Sequence, residues 1–315
     1  MPIRDADDLT ARVLAAAART PDARMRELLG AGVRHLHAFV REANLTEPEF
    51  RALCAQIARA GRKTDAAHNE VMLIAGTLGV SALVCLVNHG GEGGGRPTTS
   101  NLLGPFWRDG APREADGASI VRSPTPGLPV FATVQVVDAQ GVPVAGAEVD
   151  VWHASPEGYY ENQDPAQADM NLRGRFVSGD DGRVRFRTVR PAGYPVPVDG
   201  PAGALLRAQV RHNLRPAHLH VMVHKPGFLL QHTQLYDADD PNLDDDSQWG
   251  ATQALVVRYA EHHGCPSPAP DVAGPWLTMT HRLVLEPGTA GWPIPPITGK
   301  SEGPRPGLVV LKARG

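Results

Sequence analysis

DDGRVRFRTV, residues 180–189, decides how the rear of this chain folds. Val184, Phe186 and Thr188 fall on one side of an extended chain, and Arg183, Arg185 and Arg187 fall on the other. Such period-two alternation predicts a half-buried strand, and Asp180-Asp181-Gly182 predicts a hairpin-type turn leading into it. Reading outward, Val130, Ala132, Val134 and Val136 alternate in the same way before DAQG (138–141) turns the chain. Val149 and Val151 continue the pattern. Several short strands separated by turns predict a β-sandwich, and no internal repeat of fixed period competes with that reading.

The front of the chain has a different period. Thr20 and Pro21 predict an N-cap and first helical residue, followed by Met25, Leu28, Leu29, Val33, Leu36 and Val40 at helical spacing. Thr46 and Glu49 form a capping-box signature, with Phe50, Leu53 and Ile57 as a buried stripe and Gly61 as a stop. Residues 65–88 predict one long helix, buried on most sides from Val71 onward. These helices serve either as a dimerisation face or as packing for the same chain. A glycine-rich stretch, HGGEGGGRPTTSN (89–101), reads as a linker, since neither a preceding strand nor a following Lys-Ser/Thr supports a phosphate loop. The fold class is therefore α+β, with a helical region over 1–98 and an all-β sandwich over 99–315.

Composition narrows the function. A formal charge of -3 and the lack of a Lys/Arg run of five or more leave no electrostatic footprint for nucleic acid or a membrane surface. No apolar stretch approaches the ~20 residues of a membrane span, and the N-terminus shows no secretory h-region. Cys54, Cys85 and Cys265 are too scattered for a disulfide framework, which predicts free thiols in a reducing, cytoplasmic setting.

The chemistry centres on HLHVMVH (218–224). In a strand, His218 and His220 share a face and can converge on one metal ion while Leu219, Val221 and Val223 enter the core. The pair alone is equally readable as hydrogen-bonded histidines. His224 has the same parity but lies too far along the strand to share an ion. No Asp or Glu occurs in the twelve residues after His220, so a facial carboxylate triad is not in view, and the cysteines needed for structural zinc are missing nearby. Three of the five tyrosines cluster in two loops, WHASPEGYY (152–160) and RPAGY (190–194), and a phenolate is a hard anionic ligand suited to Fe(III).

The order VWHASPEGYY, RPAGYPVP, NLRPAHLHVMV and HTQLY closely resembles the intradiol ring-cleavage dioxygenases, in the catechol and hydroxyquinol branch. TSNLLGPFWRDGAP (99–112) and TLGVSALVCLVNHG (77–90) extend the resemblance over roughly residues 20 to 290. It implies non-haem Fe(III) held by Tyr160, Tyr194, His218 and His220. Tyr160 is chosen over Tyr159 by the family's Gly-x-Tyr pattern. It further implies Tyr194 as a base for the incoming diol, Arg215 as the group facing negative charge on the substrate carbon, and Gln234 beside the iron. The partners implied are a small aromatic diol and O2, cleaved to a cis,cis-muconate or maleylacetate-type diacid. A homodimer through the N-terminal helices is implied as well, with a lipid at its interface in some relatives.

By the same resemblance the pocket is walled by Leu73, Gly76, Leu102, Leu103, Gly104, Pro105, Phe106 and Val196. LLGPF and GYPVP look more like hydroxyquinol than catechol enzymes, with catechol or a substituted catechol as the alternative substrate. Many hydroxyquinol enzymes carry Asp where this chain has Gly76, so the expectation is a more open pocket that accepts a bulkier or differently substituted diol. A rival reading exists: GVPVAGAEVDVW and GDDGRVRFRTVRPAGY also resemble transthyretin-like binding modules, which lack the tyrosines, the histidine pair and Arg215.

Overall fold

Helix capping organises the front of the chain in the computed structural model, which describes residues 2–65, 68–89, 97–297, 299–301 and 303–312. Helix α1 spans Ala6–Ala17 and α2 spans Ala23–Glu42. Helix α2 starts later than the Thr20-Pro21 signal predicts, because the Asp22 carboxylate accepts the Met25 N–H at 2.6 Å and is the true N-cap. Helix α3 (Glu47–Lys63) runs past Gly61. Glu49 does reach back to the Thr46 N–H at 2.9 Å, while the Thr46 hydroxyl donates to that same carboxylate at 2.7 Å. The single helix expected over 65–88 is two helices, α4 (Glu70–Thr77) and α5 (Val80–His89), bent by 75°. Gly79, at φ +73, makes the break. The stripe Phe50, Leu53 and Ile57 is exposed rather than buried, as are Leu36 and, on α5, Val87. Residues 90–96 of the glycine-rich linker lie outside the described residues. Among the described residues no single helix is long and apolar enough to cross a membrane.

By contacts the chain forms two compact units, Met1–Ala58 and Arg59–Gly315. This is a different cut from the 98/99 division of the sequence, since α4 and α5 fall in the second unit. In the first unit Arg41 ties α2 to α1 through Asp7 at 2.6 Å.

The second unit is built on strands β1 (Pro129–Val137), β2 (Glu148–His153), β3 (Arg173–Val177), β4 (Arg183–Val189) and β5 (Tyr194–Pro195). After helix α6 (Pro201–Ala208) come β6 (Leu214–Arg215), β7 (His218–His224), β8 (Gln231–Asp237), β9 (Val256–Val257), β10 (Ala260–His262) and β11 (Trp276–Val284). One sheet has the order β10-β11-β1-β4 and the other β3-β2-β7-β8-β9, with β5 and β6 as a separate two-stranded ribbon. Val134, Val184 and Leu283 of the first sheet and Val149, Val221 and Leu235 of the second share one core. This is the expected sandwich.

Strand β4 behaves as its alternation demands: Val184, Phe186 and Thr188 are buried, while Arg185 and Arg187 pair with Asp116 and Asp271. The turn before it closes as a hairpin turn does, the Gly182 N–H donating to the Gly179 carbonyl and the Gly179 N–H to that of Arg183, but its strands part to different sheets. It joins β3 to β4 across the two sheets, and β4 pairs antiparallel with β1. Strand β2 is buried on both faces, because Asp150 and Trp152 line the far side from Val149 and Val151. That far side carries the site.

Candidate metal centre

Strand parity sends Leu219, Val221 and Val223 into the sandwich core and His218 and His220 to the other face. Both imidazoles are buried. His224, of the same parity, instead stacks on Trp292 at 4.6 Å. Tyr160 follows a tight loop in which Gly158 takes φ +82 and its N–H reaches the Ser155 carbonyl. Tyr194 lies on the ribbon, where β5 pairs it with Arg215 of β6. Gly193 makes that approach possible, since a Cβ there would stand 2.5 Å from the Arg215 carbonyl oxygen.

The four side chains converge. The Tyr160 hydroxyl lies 3.0 Å from His220 Nε2, 3.4 Å from His218 Nε2 and 3.4 Å from the Tyr194 hydroxyl. The Tyr194 hydroxyl is itself 3.4 Å from His218 Nε2. Tyr159 points elsewhere, its hydroxyl donating to the Pro306 carbonyl at 2.9 Å. A first-row cation held at about 2.0–2.1 Å would set neighbouring donors about 3–3.5 Å apart, so the spacing fits one ion.

The chemistry of the donors fits too. His218 Nδ1–H donates to the Pro216 carbonyl at 2.7 Å, which leaves Nε2 with its lone pair toward the other donors. His220 is stacked on Trp152 at 4.6 Å, and its Nδ1 is buried without a partner among the described residues. Burial and the nearby Arg215 push His218 down to about 3, and burial and His218 push His220 well below the ordinary imidazole range, so both imidazoles are neutral. Burial, reinforced by Tyr194, pushes the Tyr160 phenol well above its ordinary value. Its ionisation in this pocket therefore requires a cation at the donors. Among the described residues no three His, Cys, Asp or Glu side chains gather, so no carboxylate triad competes. Asp237, at the end of β8, is bound by Arg190 through two contacts of 2.6 and 2.9 Å.

Arg215 and Gln234 are joined by a residue that sequence reading passed over. Arg215 Nη2 donates to the Tyr236 hydroxyl at 2.7 Å, which donates to Gln234 Oε1 at 2.6 Å. Gln234 Nε2 then donates to the Leu102 carbonyl at 2.5 Å. Asp246 holds the guanidinium from behind, at 3.0 and 3.2 Å. Parity could have revealed Tyr236, since His218 and His220 register against Tyr236 and Gln234 on β8. Nothing in the acidic run 244–246 singles out Asp246. Arg173 was also missed; it binds Glu161, just after Tyr160, at 2.6 Å and the Phe106 carbonyl at 2.6 Å.

Of the expected pocket residues, Phe106 stacks on Tyr160 at 4.3 Å, and Leu103 packs in the same apolar cluster. Leu102 enters through its carbonyl. Gly104, at φ +74, lies against His220, whose Cε1 would be 3.3 Å from a Cβ there. Pro105 is exposed, and Val196 is buried, its N–H donating to the Asn213 carbonyl and its carbonyl accepting from Asn213 Nδ2. Leu73 is half-buried on α4. The open space expected at Gly76 is not there: a Cβ would stand 1.9 Å from Gln248 Oε1. The Gln248 carboxamide fills that corner, held by Thr77 Oγ1 at 3.2 Å.

Family models bear on this geometry. One described as "Dioxygenase" matches residues 102–276, and one described as "Catechol dioxygenase N terminus" matches residues 22–95. The chain is 40% identical over 239 residues to a hydroxyquinol 1,2-dioxygenase of Rhizobium sp. (strain MTP-10005), covering 76% of this chain and 80% of the relative. The solved structure of a hydroxyquinol 1,2-dioxygenase from Pseudomonas putida DLL-E4 superposes with a TM-score of 0.81 at 35% identity, covering 90% of this chain and 99% of that one. A catechol 1,2-dioxygenase from Pseudomonas arvilla C-1 gives 0.71 at 28% identity, covering 95% and 96%.

Proposed function

We propose, for a chain that belongs to the intradiol ring-cleavage dioxygenases, that Tyr160, Tyr194, His218 and His220 hold non-haem Fe(III) and that the substrate is hydroxyquinol. As a member of that enzyme class the protein inserts both atoms of O2, so the non-catalytic transthyretin-like reading falls away. The observation that carries the metal assignment is the gathering of two phenols and two neutral imidazoles, with the Tyr160 hydroxyl 3.0–3.4 Å from the other three donors and the Tyr194 hydroxyl 3.4 Å from His218 Nε2. Fe(III) bound there would chelate the two oxygens of the diol and prepare the ring for O2. The bond between the two hydroxyl-bearing carbons breaks as two oxygen atoms enter, so no external reductant is consumed.

The chain's own groups then have distinct tasks. A diol that chelates must lose its protons, and Tyr194, on a strand only two residues long, is the base proposed to take one, as the phenolate that a bound cation would create. Arg215, buried and kept charged by Asp246, faces the negative charge that develops on the substrate. The relay through Tyr236 and Gln234 fixes that guanidinium relative to Leu102. Phe106 and Leu103 pack with Tyr160, Tyr194 and Trp152 as the apolar wall of the site. Gln248 occupies the corner beside Gly76, so a bulkier diol gains no room there, and the likeness to hydroxyquinol 1,2-dioxygenases is what favours hydroxyquinol.

Oxygen uptake on hydroxyquinol, catechol and alkyl- or halo-catechols, with iron quantified in the same sample, tests this reading. The expected order puts hydroxyquinol first by kcat/KM. A strong preference for unsubstituted catechol would overturn the substrate assignment and leave catechol, the substrate named for the Pseudomonas arvilla relative, in its place. The exposed apolar faces of α2 and α3 support a homodimer with a lipid as a further ligand of that face, and a monomer mass by sedimentation would contradict the dimer. Free Cys54, Cys85 and Cys265 suit a cytoplasmic setting.

A further inference from the structure

Residues 305–311 lie beyond the matched family segment, which ends at 276, yet they touch both tyrosine-bearing loops. On the Tyr160 side, the Tyr159 hydroxyl donates to the Pro306 carbonyl at 2.9 Å. The Arg305 guanidinium also lies 4.4 Å from the centroid of the Tyr159 ring and pairs with Glu157 at 2.6 Å and with buried Asp164. Just upstream, the Ser301 N–H donates to the Asn162 carbonyl at 2.8 Å. These contacts bracket Tyr160 on both sides.

The Tyr194 loop is reached through one buried side chain. Asn213 Nδ2 donates to the carbonyl of Val196 at 2.6 Å and to that of Val309 at 2.9 Å. Its Oδ1 accepts the Leu311 N–H at 2.8 Å. The carboxamide thus fastens the C-terminal segment to the backbone two residues after Tyr194. All three parts meet at Gly158, where an added Cβ would be 3.4 Å from Leu308 Cδ1, from Tyr194 Cβ and from the Gly193 carbonyl. Neither loop has a long strand of its own to hold it: β5 has two residues, and Tyr160 precedes a single 3-10 turn.

We propose that residues 305–311 form a strap that holds the Tyr160 and Tyr194 loops in register with each other, with Tyr159, Arg305 and Asn213 as positioning residues. The proposal rests on the iron reading above for its effect on the centre, but the strap itself is a statement about two loops of this chain. A side chain that orients ligands changes metal affinity by about tenfold or more when lost.

Two variants test it: a chain ending at Gly303, and the full chain carrying Tyr159→Phe with Arg305→Gln. Each is iron-loaded, and three quantities are measured. These are the tyrosinate-to-iron absorption band per iron, the rate of iron loss to a chelator, and amide hydrogen exchange over 157–164 and 193–197. The strap predicts a shifted or weakened band, iron loss faster by about tenfold, and faster exchange in both loops, with exchange in β1 and β7 unchanged. Parent-like band, loss rate and exchange in the shortened chain would overturn it. If the shortened chain fails to fold, parent-like values in the double variant overturn it equally. A full-length parent without any such band counts against the iron reading instead; loop exchange then decides the strap alone, and unchanged protection overturns it.

Discussion

Arg215 is a buried cation whose partners explain both its charge and its aim. Burial opposes its ionised form, but Asp246, Tyr236 and Tyr194 outweigh that cost and hold the guanidinium protonated. Asp246 is likewise pushed up by burial and drawn down further by Arg215, ending below its ordinary value. Two backbone N–H groups, of Gln248 and Gly250, complete the carboxylate's shell. Gly250 has to be glycine here, because a Cβ would stand 2.4 Å from the Tyr236 hydroxyl and 2.7 Å from Arg215 Nη2. Asp246→Asn removes the countercharge while keeping the shape. The expected result is a loss of about 3 kcal/mol in unfolding free energy, the lower end for breaking a buried ion pair. A fall in kcat by about 10²-fold should accompany it as the guanidinium loses its aim. Urea denaturation and oxygen uptake check the two effects; an unfolding curve that overlays the parent's would show that the pair carries no stability.

At the scale of elements, the 180–189 stretch shows what periodicity can and cannot specify. The faces of β4 were legible because burial of one side is a local property of alternating residues. Its partner was not, since a turn of the same composition can close a hairpin or cross between sheets. Gly182 settles the local geometry: it takes φ +69, and a Cβ would lie 2.4 Å from the Val136 carbonyl oxygen. Gly182→Ala is expected to cost more than the ~1–2 kcal/mol of left-handed strain alone, because backbone must also move. The urea midpoint measures it, and a shift below about 0.5 kcal/mol would contradict the reading. The helices erred for a related reason. Apolar spacing locates a stripe but not what covers it, so Phe50, Leu53 and Ile57 read as buried and lie exposed in the single chain. Parity gave the histidine pair on β7; Tyr160 on a loop and Tyr194 on a two-residue strand belong to no run long enough to show a period, and resemblance placed them. Tyr236, Asp246 and Gln248 act through contacts made across the fold, and Gln248 corrected the expectation at Gly76.

At the scale of the whole molecule, the two sheets are joined by more than apolar contact. His153 of β2 donates or accepts at 2.6 Å with Thr188 of β4, bridging the sandwich. Burial pushes its pKa down to about 4, and burial does the same for His281 of β11. The folded pKa values lie below the unfolded value of 6.5, so the unfolded chain binds more protons in between. Stability is therefore full above pH 6.5 and is lost as pH falls toward about 4. For the fully buried His153 the effect is on the order of 3 kcal/mol across that window. Urea midpoints measured through the window should fall, with a shallower fall in His153→Gln. A midpoint that stays level down to about pH 4.5 would contradict the assignment of neutral buried imidazoles.

Two phenols and two imidazoles that together hold one iron should colour the protein. Visible absorption of the purified protein, with metal content measured in the same sample and in Tyr160→Phe and Tyr194→Phe, tests it most directly. The expected result is a wine-red parent with a tyrosinate-to-Fe(III) charge-transfer band, about one iron per chain, and a changed or lost band in each variant. A colourless protein with full metal occupancy, or a band untouched by both substitutions, would contradict it.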